Sequence, residues 1–333
     1  MQNSDGYTFE LDPTVTRTPV RYRNRFGIEI AGDLYTPKDA TGTLPALAVS
    51  GPFGAVKEQS SGLYANEFAR RGFIAVAFDP SFSGESGGEV RDVASPEIYT
   101  EDFSATVDFL GLQGNVDRDR IGVQAICGLS GMAITAATSD SRIKAVATAS
   151  MYDMSRSVSR SYQDSYTPEQ RHKVIEYYNQ QRWADAENGT YARGPHEVAF
   201  DEDGNLISGD RVLPETLPNG ADPVTSSFFD YYRTDRGYHP RAVNSTTAFT
   251  ATTPASFFAF PLMANLAQIP PRPVLLAAGS EAHSRYYSED IHGSSPENVE
   301  LVIVPGADHV DLYDRKEMIP FDRFEKFFLD NLN

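Results

Sequence analysis

The segment Arg120 to Gly131, read as RIGVQAICGLSG, limits the possible folds of this chain more than any other. An apolar run from Ile121 to Ile126 stops at Cys127, and small residues follow at Gly128, Ser130, Gly131, Ala133, Ala136 and Ala137. A buried strand turning sharply into a close-packed helix reads this way. Such a turn, usually written G-x-S-x-G, lifts a reactive side chain above a sheet. Cys127 stands where the serine usually stands. It is the single cysteine of the chain, so it forms no internal disulfide. Ala125 replaces the first glycine of the pattern, and Leu129 occupies the place of the second, with Gly128 one residue early. A rival frame puts the nucleophile at Ser130. That frame extends the strand through Gly128, and glycine is a poor strand residue. Cys127 is therefore the expected nucleophile, Ser130 the alternative, and an inert buried thiol the plain reading of a lone cysteine.

Strand and helix patterns alternate along the rest of the chain. Thr18 to Asn24 and Ile28 to Tyr35 read as a strand pair. Leu44 to Ser50, Phe73 to Phe78, Ile143 to Ala149, Val274 to Ala278 and Leu301 to Val304 read as further strands. Tyr64, Phe68 and Gly72 mark a helix and its end. Phe103, Val107 and Leu110 give Ile98 to Leu112 a helical face, and Phe321 to Leu332 reads as a closing helix. Buried apolar strands alternating with helices predict a mainly parallel central sheet flanked by helices.

Residues 1–154 and 270–333 account for that core, and 155–269 form an interruption too long for a loop. Within it Tyr166 to Trp183 reads as helical, Asn188 to Asp222 as irregular, and Phe228 to Arg241 and Ala255 to Leu266 as aromatic or apolar. The expectation is an inserted cap that roofs a pocket. Phe229, Tyr232 and Phe257 are its candidate lining residues, since soluble proteins seldom leave so many aromatics exposed.

A nucleophile needs a base, an orienting acid and donors for an oxyanion. His309 follows the last strand, Leu301 to Val304, in the stretch PGADHVDLY, and is the expected base. The acid is expected at Asp153, at the end of the strand after the elbow helix, with Glu281 as the alternative. Ala282 occupies the more usual place. Asp153 also reads as a helix N-cap. His283 and Ser284 are then expected to line the pocket. The oxyanion donors are expected to be the backbone N–H of Gly128 and one from the loop after the third strand, where Pro52 has none, so Phe53 or Gly54 supplies it, with Phe53 the choice.

Six segments together carry a family resemblance: SGPFGAVKEQ from Ser50, FDPSFSGESGG from Phe78, AICGLSG from Ala125, SMYDMSR from Ser150, EAHSRYYSED from Glu281 and PGADHVDLYDR from Pro305. Together they resemble the α/β-hydrolases related to fungal polyketide transferases and to a group of bacterial homologues. More distantly they are similar to dienelactone hydrolase, which also uses a cysteine nucleophile. The resemblance covers the sheet domain and implies an α/β-hydrolase fold, a Cys/Ser–His–acid triad, and acyl transfer or hydrolysis.

Composition narrows the partners. A net charge of −17 over 333 residues argues against nucleic acid and anionic membranes. No apolar run approaches the length of a membrane span, the start has no secretory signal, and one cysteine fits a reducing compartment, so the expected location is cytoplasmic. The expected partner is a small ester or thioester with an apolar acyl group, without metal or cofactor; a homodimer is possible. A non-catalytic binder on the same fold stays open. Carbon–carbon or dehalogenation chemistry ranks last, because no aspartate stands at the elbow.

Overall fold

A computed structural model describes residues 6–332 of the chain. Its centre is an eight-stranded sheet. The strands are β1 (Val15–Arg23), β2 (Glu29–Pro37), β3 (Leu44–Ser50), β4 (Ile74–Phe78), β5 (Val116–Ile126), β6 (Ile143–Ala149), β7 (Val274–Gly279) and β8 (Val299–Val304). Their order across the sheet is β1-β2-β4-β3-β5-β6-β7-β8. β2 runs antiparallel to β1 and β4; every other neighbouring pair is parallel. The expected mainly parallel sheet of an α/β-hydrolase fold is what forms. The elbow strand begins earlier than its apolar run, because the polar residues Asp117 to Arg120 continue β5 beyond the buried part of the sheet.

Both faces of the sheet are covered, so its central strands are apolar throughout rather than alternating. All five residues of β4 and all six of β7 are buried. Alternate residues still serve different layers. Ala46 and Ala48 of β3 join the cluster that packs under helices α2 (Pro96–Gly111) and α3 (Leu129–Ser139). Leu47 and Val49 join the opposite cluster, with helix α1 (Ser60–Arg70) and the C-terminal helix Phe321–Asn331. That closing helix buries Phe321, Phe324, Phe327 and Phe328. Phe321 meets Tyr64 with ring centroids 4.9 Å apart, and Phe328 meets Phe68 at 5.7 Å.

Between β6 and β7 the chain makes the predicted long excursion. Helix α4 (Met154–Arg160) comes first. Helix α5 (Pro168–Asn188) follows, opened by a capping box of Thr167 and Gln170 and closed by Gly189 in the left-handed conformation. Helix α6 (Pro223–Arg233) begins at the N-cap Asp222. The stretch 188–222, expected to be irregular, holds two-residue strands. Ala199–Phe200 pairs with Leu206–Ile207, and Arg193–Gly194 pairs with Phe249–Thr250. Strands this short carry no readable periodicity. Among the described residues no helix is long and apolar enough to cross a membrane.

The loops above the sheet depend on close backbone approach. Gly51, after β3, has φ +106°, and a Cβ there would lie 2.2 Å from the carbonyl oxygen of Ile126. Gly306, with φ +72°, faces open space. Gly51→Ala should therefore cost about 2–5 kcal/mol from combined strain and overlap. Gly306→Ala should cost only about 1–2 kcal/mol, from the left-handed backbone alone. Urea unfolding of the two variants checks this; equal losses would refute the close-approach argument.

Candidate active site

β5 ends at Ile126 and α3 starts at Leu129, so the chain reverses within two residues. Cys127 takes φ +55°. A non-glycine residue in that region is strained by roughly 1–3 kcal/mol and persists only where its surroundings fix it. Here the Cys127 N–H donates to Ala149 O at 2.9 Å, and Cys127 O accepts from Ser130 N at 3.0 Å and Tyr152 N at 3.1 Å. Gly128 is needed beside it: a Cβ at that position would lie 2.6 Å from Phe53 Cβ and 2.9 Å from Met154 Sδ.

The backbone N–H groups of Phe53 and Gly128 are directed at the sulfur, and the Tyr313 hydroxyl lies beside it. Burial nevertheless dominates, and it pushes the thiol up to about 11. The structure thus brings together Cys127 and both backbone donors expected from the sequence. Ser130, the alternative nucleophile, lies in the first turn of α3. It is fully buried, and its hydroxyl has no hydrogen-bond partner among the described residues.

His309 is completely buried in the loop after β8. Its Nε2 lies 3.0 Å from the Tyr313 hydroxyl, and its Nδ1 lies 2.6 Å from Ser284 Oγ. Ser150, at the end of β6 with φ +49°, donates its hydroxyl to His309 O at 2.7 Å and pins the loop. Burial first, and then the nearby His283 ring 5.1 Å away, push the His309 imidazole well below its ordinary value.

No carboxylate reaches the His309 ring among the described residues, which corrects the expected acid. Asp153 is the N-cap of α4, where its Oδ1 accepts from Arg156 N at 3.1 Å, and burial raises its carboxyl. Glu281 accepts from the neighbouring Ser280 Oγ at 2.9 Å and is exposed. Capping won over catalysis at Asp153: the free N–H groups of α4 lie closer than the imidazole. Ser284, expected on the pocket wall, instead stands at the imidazole. His283 accepts or donates through Nε2 to the Tyr152 hydroxyl, one layer behind.

A cavity of about 300 Å³ opens over Cys127 and Tyr313. Phe53, Met154, Val212, Leu213, Val224 and Phe228 give it apolar walls, and Tyr232 lines it as expected. Phe229 does not; on helix α6 its neighbour Phe228 takes the inward place, 5.4 Å from the His309 ring. Phe257 lies behind the wall, against Phe53 at 6.0 Å, and faces a second groove of about 810 Å³ that contains neither Cys127 nor His309. His196 and Glu197 from the excursion add polar groups to the lining of the Cys127 cavity, with the His196 ring 5.5 Å from that of Phe53. Glu197 accepts from Ser157 Oγ, and His196 Nδ1 is buried without a hydrogen-bond partner among the described residues.

Tyr313, Ser150 and the His196–Glu197 pair were missed in the sequence. Only Tyr313 left a usable signal: it follows His309 by four residues, the spacing that stacks two side chains on one helical turn.

Residues 27–203, more than half of the chain, match the family described as X-Pro dipeptidyl-peptidase (S15 family). The chain belongs to the S15 family of α/β-hydrolases. That family implies a serine nucleophile, whereas this member carries Cys127 at the elbow. It is 52% identical to the uncharacterized protein PA2218 of Pseudomonas aeruginosa, over 98% of this chain and 83% of that protein. The crystal structure of PA2218 superposes with a TM-score of 0.90, covering 98% of this chain and 96% of that one. The chain is 30% identical to YcjY of Escherichia coli over 96% of its own length and 95% of that protein's. It is 34% identical to thiohydrolase aneE of Aspergillus aculeatus over 39% of this chain and 40% of that protein. The α/β-hydrolase GrgF from Penicillium sp. sh18 shares the fold at TM-score 0.75 and 19% identity, covering 95% of this chain and 99% of that one.

Three outcomes follow from this geometry. Asp153→Asn keeps a good N-cap residue, so it should change thiol reactivity and stability little. Ser284→Ala leaves a buried imidazole nitrogen unpartnered and should cost about 1–3 kcal/mol of stability in urea unfolding. A large loss of reactivity in the Asp153 variant alone would restore Asp153 as the acid. Because the thiol lies near 11, the thiolate fraction grows with pH, so iodoacetamide alkylation of Cys127 should still be rising above pH 9. A plateau reached by pH 7 would contradict the buried, neutral thiol.

Proposed function

We propose that this chain is an acyl hydrolase or acyltransferase that attacks a carboxylic ester or thioester through Cys127, with His309 as base. The observation that carries the reading is the convergence of the Phe53 and Gly128 N–H groups on a side chain held at a strained strand-to-helix turn. The membership in a hydrolase family supports it, and so does the similarity to a protein named a thiohydrolase.

In the proposed reaction the thiol proton passes toward His309 and the sulfur attacks the carbonyl carbon. The carbonyl oxygen becomes an oxyanion and accepts from Phe53 N–H and Gly128 N–H, each donor being worth about 3 kcal/mol. Collapse expels the alcohol or thiol, which takes the proton back, and leaves acyl-Cys127. Water or an alcohol then repeats the sequence and releases the acid or a new ester. Both the thiol and the imidazole are neutral at rest, so the base acts during attack rather than maintaining a standing thiolate–imidazolium pair.

Residues 155–269 act in this reading as the cap. Their Phe228 and Tyr232 close the cavity, and its size, at the low end for small-molecule sites, favours a short acyl group. The polar groups of His196 and Glu197 favour an acyl or leaving group that carries a hydrogen-bonding substituent.

Intact-protein mass spectrometry with short-chain p-nitrophenyl esters and acyl thioesters tests the proposal. The expected result is a transient acyl adduct mapped to Cys127, absent in Cys127→Ala, and turnover falling about 100-fold or more in His309→Ala. Full turnover in Cys127→Ala, or an adduct on Ser130, would sink it. Saturable binding with neither adduct nor turnover would favour a non-catalytic binder.

A further inference from the structure

Among the described residues no direct hydrogen bond joins Cys127 to His309; Tyr313 stands between them. Its hydroxyl is 3.0 Å from His309 Nε2, and its ring lines the same cavity as Cys127, with the hydroxyl close enough to the sulfur for the two groups to interact. Tyr313 is completely buried. Its ring is held edge-on by Tyr231 at 5.1 Å and lies 6.3 Å from Tyr232. The helical turn that carries it, Asp311–Asp314, is fixed by Arg236, which donates to Asp314 through Nε at 2.9 Å and Nη2 at 2.7 Å. These contacts hold the tyrosine beside the imidazole.

The far side of the imidazole is equally committed, since Nδ1 meets Ser284 Oγ at 2.6 Å. Cys127 Sγ, the Tyr313 hydroxyl, His309 and Ser284 lie in one run, and the Tyr232 hydroxyl is a further partner that can donate to the second lone pair of the Tyr313 oxygen. Hydrogen-bond bookkeeping allows a single-direction arrangement. Cys127 S–H donates to the tyrosine oxygen, the tyrosine O–H donates to Nε2, and Nδ1–H donates to Ser284 Oγ.

We infer that Tyr313 is a catalytic residue that carries the proton between Cys127 and His309. This rests on Cys127 being the nucleophile. The thiol proton moves to the Tyr313 oxygen as the tyrosine's own proton moves to Nε2. The products are a thiolate, a neutral tyrosine and an imidazolium, with no change in total charge. The thiolate electron pair then forms the bond to the carbonyl carbon. When the tetrahedral intermediate collapses, the carbon–leaving-group bond breaks and the imidazolium returns its proton through Tyr313 to the departing oxygen or sulfur. Tyr313 stays neutral at rest and after each transfer. This suits its position, since burial first and then the nearby thiol hold its hydroxyl well above the ordinary tyrosine range.

Tyr313→Phe removes the oxygen and keeps the ring. The acylation burst with p-nitrophenyl acetate should slow about 100-fold, the scale of one general acid–base step. The pH profile of iodoacetamide alkylation should also move upward, because the thiolate loses a donor. His309→Ala combined with Tyr313→Phe should be no slower than either alone, since both act in one relay. In the wild type, acylation in mixed light and heavy water should follow a curved, two-proton dependence. That measurement keeps the test independent of how well the variant folds. A linear dependence, or Tyr313→Phe acylating at the wild-type rate with an unmoved alkylation profile, overturns the relay and leaves Cys127 as nucleophile. Wild-type protein that forms no acyl-Cys127 overturns both.

Discussion

The site depends on one backbone constraint, the positive φ of Cys127 at the join between β5 and α3. A strand followed at once by a helix cannot be built from relaxed L-residues, so neighbouring contacts must hold the turn in place. The Cys127 carbonyl accepts from Ser130 of α3 and from Tyr152, and the Cys127 N–H donates to Ala149 of β6. Glycines supply the clearance. Gly51 lets the β3 loop pass over Ile126, and Gly128 lets Phe53 close against the elbow. That closure is what brings two backbone N–H groups to the sulfur. The positions of the donors and of the nucleophile therefore follow from the same packing, and neither would survive a side chain at Gly51 or Gly128.

Electrostatics around the imidazole follow from its burial. A carboxylate against Nδ1 would stabilise the imidazolium and raise the base toward neutrality. Ser284 has no charge to offer, and His283 on the other side would compete with a second positive charge. The folded protein thus prefers neutral His309 beside a neutral thiol. Such a pair has no standing nucleophile, and thiolate appears only when a proton is passed on. A buried, low-dielectric pocket makes the backbone N–H groups correspondingly more effective once negative charge develops on the substrate.

Most of the scaffold was legible because its signals are local and strong. Apolar strand runs, the small residues after Cys127 and the terminal Phe-rich helix each specify one layer of the sheet. Cys127 stood out because it follows directly on an apolar strand, and His309 because it lies in the loop after the last strand. The missing N–H of Pro52 left Phe53 and Gly54 as the candidate donors of that loop, and only the packing of the loop against Gly128 favours Phe53. The acid was misread for a physical reason: at Asp153 the same carboxylate satisfies a nearby helix terminus, and sequence position cannot tell capping from catalysis. Ser284 was legible only as a polar neighbour of His283, because its role depends on the loop after β7 folding back under His309. Phe228 and Phe229 illustrate the limit within a helix. Both are aromatic, and which one faces the cavity depends on how α6 docks, not on the residues themselves.

The docking of that excursion is itself tied to the catalytic loop. Ser227, next to Phe228 on α6, donates to Asp308 Oδ2 at 2.6 Å, and Asp308 Oδ1 accepts the N–H of His309 at 2.6 Å. Farther along, Arg236 spans Asp230 of α6 and Asp314 of the turn that holds Tyr313. Gln59, beyond the Phe53 loop, donates to Gly237 O at 2.5 Å. These contacts link the aromatic wall of the cavity, the imidazole, the tyrosine and the loop that supplies Phe53. Removing the excursion would free several of these groups at once, so it cannot be regarded as a detachable cover. The cavity wall and the charge-handling groups beneath it are parts of one packed unit, held to the sheet by the elbow.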